Sequence, residues 1–98
     1  MTTSINQFTL YFKTERPSSD AVVVRTSVED WTTDLRGRWL ARSLSWRFEL
    51  LYDSHPPGTT YKFYVPAEDV WGPRENLIIP VGAISQSFVE DDPSWFWG

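Results

Sequence analysis

The apolar residues of this chain are gathered into short runs rich in β-branched and aromatic side chains, each closed by a turn signal. Residues 8–13 (FTLYFK) stop at Arg16-Pro17-Ser18-Ser19-Asp20, and residues 21–26 (AVVVRT) form a β-branched run suited to burial on both faces. Residues 38–42 make a short strand, and residues 46–52 (WRFELLY) place Trp46, Phe48 and Leu50 on one face. Asp53-Ser54-His55-Pro56-Pro57-Gly58 is a strong turn, so residues 60–65 (TYKFYV) are expected to pair with the preceding strand as a hairpin. A polar loop around Trp71 is expected over residues 66–75, followed by strands at 76–81 (NLIIPV) and 85–89 (SQSFV). Proline and glycine spacing leaves room for no long amphipathic helix, only for one turn within residues 28–35. The pattern predicts an all-β chain, an immunoglobulin-like β-sandwich of two antiparallel sheets with seven to eight strands.

A chain of 98 residues forms one module, residues 1–98 with 1–6 frayed, and is too small for a deep cleft between two lobes. A ligand would meet a surface. Cysteine is absent, which removes disulfides, thiolate chemistry and cysteine-based zinc sites. The N-terminal stretch lacks the basic start and apolar run of a signal peptide, and no apolar stretch reaches the length of a membrane span, so the chain is expected to be soluble with no membrane partner.

Six tryptophans are many for this length, and two stand in polar surroundings. Trp31 lies in Glu29-Asp30-Trp31-Thr32-Thr33-Asp34, and Trp71 lies between Asp69 and Gly72-Pro73. A flat indole in a loop can carry a ligand that is apolar on its face and hydrogen-bonding at its rim, which describes sugars and nucleobases. Net charge decides between them: 9 Lys and Arg against 13 Asp and Glu leave −4, without the basic footprint that a phosphate backbone needs. A sugar is the expected ligand and nucleic acid is not expected as a partner.

Catalysis is hard to assemble from these residues. The single histidine, His55, sits in the proline-glycine turn and reads as a solvated turn residue. The carboxylate pairs Glu29/Asp30, Glu68/Asp69 and Asp91/Asp92 are adjacent in sequence, whereas glycoside hydrolysis needs two carboxyls facing each other across a cleft; each pair reads as a solvated charge run. No phosphate loop, HExxH or serine elbow occurs. The chain is expected to be no enzyme and to need no cofactor or metal.

The order of the binding residues resembles carbohydrate-binding module family 20, the starch-binding modules, and the related glycogen-binding family 48. The resemblance is carried by Trp31-Thr32-Thr33-Asp34, Leu44-Ser45-Trp46-Arg47-Phe48, the Pro57-Gly58 turn, Tyr61-Lys62-Phe63, and Trp71 followed five positions later by Asn76. It spans residues 8–90. It implies that Trp31 and Trp71 stack on consecutive glucose rings, while Lys62 and Asn76 hydrogen-bond to sugar hydroxyls. It also implies a second site using Trp46 and Trp39, the latter where the family commonly has a tyrosine. If each indole withdraws on the order of 100 Å² of apolar surface from water, the pair supplies about 5 kcal/mol before ordering costs. Tyr61 and Phe63 alternate with Lys62 and read as core.

The function so implied is non-catalytic binding of α-1,4-glucans such as starch, glycogen, maltooligosaccharides and cyclodextrins, bringing an attached glycoside-active enzyme to its polysaccharide. Two alternatives stand beside it: a module for another polysaccharide, and a protein-interaction sandwich that uses exposed aromatics, including Trp95-Phe96-Trp97. Such an amount of apolar surface at the terminus is expected to dock rather than remain in water.

Overall fold

The computed structural model describes residues 7–14, 22–82 and 85–90. The expected frayed start, the turn at residues 16–20 and the terminal aromatic segment lie outside the described residues. Among the described residues eight strands are formed: β1 (Gln7–Lys13), β2 (Val23–Thr26), β3 (Leu35–Arg36), β4 (Arg38–Leu40), β5 (Ser45–Leu51), β6 (Thr60–Val65), β7 (Val70–Ile78) and β8 (Ser85–Val89). They make two four-stranded sheets, ordered β4-β5-β1-β8 and β3-β2-β6-β7. Every pairing is antiparallel except β1 with β8. The all-β sandwich read from the short apolar runs is therefore the architecture observed.

Alternation along each strand builds the core between the sheets. Phe8, Leu10 and Phe12 from β1 and Trp46, Phe48 and Leu50 from β5 meet Val24 from β2 and Tyr61, Phe63 and Val65 from β6, with Val22 and Ile79 joining them. Phe63 is central. Its ring stacks on Phe12 at 4.6 Å and meets Phe48 at 5.8 Å and the β8 residue Phe88 at 5.5 Å. The β-branched run in β2 is covered on both faces, Val23 as well as Val24 being buried.

Three local expectations are corrected. β5 and β6 do not form a hairpin but belong to opposite sheets. The connection between them spans residues 52–59, longer than the two to five residues typical of hairpin loops, and its backbone is anchored at both ends, by His55 N–H to Leu51 O at 2.7 Å and Gly58 N–H to Ile79 O at 2.8 Å. Residues 28–35 hold no helical turn; a tight turn at 27–31 leads instead to the short strand β3. Trp71 is not in a loop, because Val70 and Trp71 pair directly with Val65 and Tyr64 and only residues 66–69 turn. None of the described residues forms a helix that could cross a membrane.

The hydroxyl of Tyr61 is buried in this core without a hydrogen-bond partner among the described residues. Burial pushes its pKa well above the usual tyrosine value near 10. Because the folded value exceeds the unfolded one, the unfolded chain loses this proton first. The associated stability is therefore intact below pH 10 and falls as pH rises beyond it. Tyr61→Phe is expected to match or exceed the parent at neutral pH, by up to about 1 kcal/mol, since it removes an unsatisfied buried group. It should also flatten the alkaline decline in urea-unfolding free energy. A clear loss of stability at pH 7 would mean that the hydroxyl is satisfied in solution.

Candidate functional site

The outer face of the β3-β2-β6-β7 sheet carries the chemistry. With Tyr61, Phe63 and Val65 turned to the core, the alternate residues Lys62 and Tyr64 of β6 face outward. The register aligns Tyr64 with Val23 on one side and Trp71 on the other, and Lys62 with Arg25. Tyr64 and Trp71 consequently lie with ring centres 4.4 Å apart. Trp31 arrives from the turn after β2 and stands nearly perpendicular to Trp71, at 6.3 Å between centres and 79° between planes.

Asn76 reaches the same place through an irregularity in β7. Tyr61 pairs with Leu77 and Phe63 with Gly72, so Pro73, Arg74, Glu75 and Asn76 all fall opposite Lys62 alone. This wide bulge is where proline is tolerated in a strand, since no ladder hydrogen bond is asked of it. The Lys62 ammonium holds the bulge by donating to the Arg74 carbonyl at 2.8 Å. It retains further donor capacity.

Trp31, Lys62, Trp71 and Asn76 together line one open depression of about 280 Å³. All four residues singled out from the sequence thus meet at one surface, though they come from three separate segments. Trp39 and Trp46 are different. They are cross-strand neighbours in β4 and β5 with rings 5.2 Å apart, but Trp46 is only 7% exposed and belongs to the core, with Trp39 packed against it. The inward face of β5 claims Trp46, so the pair does not provide a second open platform of two rings.

Arg25 organises the depression from beneath, and the sequence offered little to mark it. Its Nε donates to Asp34 at 2.7 Å and its Nη1 to the Trp31 carbonyl at 3.1 Å. Its guanidinium carbon lies 4.1 Å from the centre of the Tyr64 ring and 5.3 Å from that of Trp71. One side chain thereby touches both tryptophan-bearing segments. The Tyr64 hydroxyl donates to Asp69 at 2.7 Å, and this hydrogen bond, followed by partial burial and the Asp69 charge, raises the Tyr64 pKa.

A second set of contacts fixes the Trp31 turn. Asp30 and Trp31 both have left-handed backbones, with φ of 59° and 62°. That conformation is uncommon for an aspartate and a true outlier for a residue as bulky as tryptophan. The turn is closed by Trp31 N–H to Thr26 O at 2.9 Å. Glu29 accepts from the Thr26 hydroxyl and also from His55 Nε2, the latter at 2.6 Å. This corrects the reading of His55 as a solvated turn residue and of Glu29 as a solvated charge. His55 is 6% exposed because the connection after β5 folds back onto the Trp31 turn, where Glu29 supplies a partner. No three His, Cys, Asp or Glu side chains among the described residues come together as a metal site.

Comparison with family models, with curated proteins and with solved structures finds no match.

Arg25→Met is expected to keep the sandwich while loosening the turn, at a cost of about 1–3 kcal/mol for the lost charged hydrogen bonds. Amide exchange should accelerate at Trp31 and Thr32 while β1 and β5 stay protected. Uniform acceleration across the chain would instead make Arg25 a general stabilising residue.

Proposed function

We propose that this chain is a non-catalytic carbohydrate-binding module of the starch-binding type, akin to family 20, taking α-1,4-glucans such as starch, glycogen, maltooligosaccharides and cyclodextrins. The observation that carries the reading is the convergence of Trp31, Lys62, Trp71 and Asn76 on one open depression. Two indoles offer area to the C–H faces of glucose, while an ammonium and an amide offer hydrogen bonds to its hydroxyl rim. The 79° between the indole planes favours a ligand that curves, as an α-1,4-glucan does, over a flat β-glucan that needs coplanar rings. The left-handed backbone at Trp31 is further support, since strain of this kind concentrates at binding sites.

The ligand is neutral and the depression is open, so affinity is weak to moderate and useful chiefly by attachment. Tethered to a glycoside-active enzyme, such a module raises the enzyme's local concentration at the polysaccharide.

A tryptophan-fluorescence titration with β-cyclodextrin, maltoheptaose and cellohexaose tests the reading. Saturable quenching is expected with the first two and not with the third. Trp71→Ala should weaken binding by about 2–3 kcal/mol with cooperative unfolding retained, because the ring lies on the outer face and not in the core. Affinity should change little between 50 and 200 mM salt, in contrast to an anionic ligand. Indifference to both α-glucans, accompanied by concentration-dependent self-association, would favour a protein-interaction domain.

A further inference from the structure

A second depression, of about 410 Å³, lies where the chain passes from one sheet to the other between β3 and β4. It is lined by Arg36, Gly37, Arg38, Arg47 and Glu49. Three of the nine cationic side chains of a chain with net charge −4 are therefore gathered around one hollow. Glu49 is the only carboxylate lining it among the described residues, and it engages Arg47 at 3.1 Å. Arg36 and Arg38 are exposed and make no ion pair among the described residues.

This arrangement works against the fold. Arg38 and Arg47 are direct cross-strand partners, and like charges placed opposite one another destabilise a sheet. Arg36 joins them from the end of β3, two positions before Arg38, and lines the same hollow where the chain crosses between the sheets. Only glycine permits so close an approach to the core at this point: a Cβ at Gly37 would come within 2.7 Å of the Phe48 ring and 3.0 Å of the Arg47 carbonyl. The flanking arginines thereby enter the hollow from a backbone that runs close against the core. The Arg47 guanidinium is itself positioned over Tyr11, at 5.9 Å from the ring centre, and its Nε is buried without a hydrogen-bond partner among the described residues.

We infer that the Arg36, Arg38 and Arg47 hollow is an anion site for a phosphate group, free or as a monoester. Three guanidinia against one carboxylate leave an excess that matches a dianion, and the planar fork of arginine pairs bidentately with tetrahedral oxyanions. A bound phosphate would relieve the Arg38 and Arg47 repulsion that the sheet otherwise carries. Nucleic acid is disfavoured, because the overall acidic charge would oppose a long polyanion while leaving a single phosphate to the local field.

The test follows the Gly37 amide and the arginine Nε–H resonances by NMR during titration with inorganic phosphate, with sodium chloride at equal ionic strength as the reference. Saturable shifts confined to this hollow are expected with phosphate alone. The double variant R36Q/R38Q should weaken binding roughly tenfold or more, the factor corresponding to loss of a charge-assisted contact. In phosphate-free buffer it should melt at or above the parent temperature, because a like-charge pair has been removed; this outcome separates a ligand role from a structural one. Glu49→Gln should tighten phosphate binding several-fold. Glucose 6-phosphate distinguishes the sources: tighter binding than inorganic phosphate assigns the site to a sugar monoester, equal binding to the free ion. Shifts that chloride reproduces, or that persist undiminished in R36Q/R38Q, would overturn the assignment. None of these readouts depends on glucan binding.

Discussion

One strand ties the stability of this protein to its candidate binding surface. The alternation of β6 sends Tyr61, Phe63 and Val65 inward, where Phe63 joins rings from three other strands, and sends Lys62 and Tyr64 outward beneath the tryptophans. Burial of the inner set fixes the register, since a slip of one residue would exchange the faces and bury the lysine. The position of Lys62 relative to Trp71 is therefore set by the hydrophobic core rather than by any contact within the depression. The outer face inherits its geometry from the inner one.

Arg25 extends that geometry to a segment that the core does not hold. The Trp31 turn lies beyond the end of β2, and its exit toward β3 passes through Asp34. By engaging Asp34, the Trp31 carbonyl and two rings, the Arg25 guanidinium neutralises its own charge locally and leaves its stem packed over the sheet. The contrast with Arg36 and Arg38 is instructive. Arg25 is surrounded by partners and works as scaffold, whereas those two are placed beside another arginine and make no ion pair of their own among the described residues. The same residue type thus has different consequences on the two faces, and the difference lies in the neighbours.

Much of this was legible in the sequence, and the parts that were not share a cause. Runs such as residues 8–13 and 60–65 announce strands because periodicity and β-propensity are local properties. Trp31, Lys62, Trp71 and Asn76 were marked by residue type and order. Pairing between strands is not local: the turn after Leu51 reads as a hairpin, yet it crosses between sheets over eight residues whose buried histidine contacts Glu29 in the Trp31 turn. Arg25 follows three valines and carries no turn or motif signal, so its role emerges only once Tyr64, Asp34 and Trp71 are brought around it. His55 and Glu29 are separated by 26 positions, and nothing about either alone forecasts the pair. Trp46 shows the reverse case, in which a residue of suitable type is packed in the core because its position in the alternation faces inward.

The strained turn at Trp31 connects these observations. A tryptophan with a left-handed backbone is disfavoured by roughly 1–3 kcal/mol, so isolated sequence in this conformation would relax. Here it is surrounded by restraints that act on different atoms: the Thr26 carbonyl on the Trp31 amide, Arg25 on the Trp31 carbonyl, and Glu29 on both the Thr26 hydroxyl and buried His55. The turn's backbone is consequently over-determined, and the indole it carries stands nearly perpendicular to Trp71. For a weak, open site this matters more than one further contact would, because each rotamer-rich side chain ordered on binding costs about 0.5–1.5 kcal/mol. Under the proposed function, a backbone already fixed in this way would spare a glucan part of that loss, with the folding energy of the sandwich offsetting the strain.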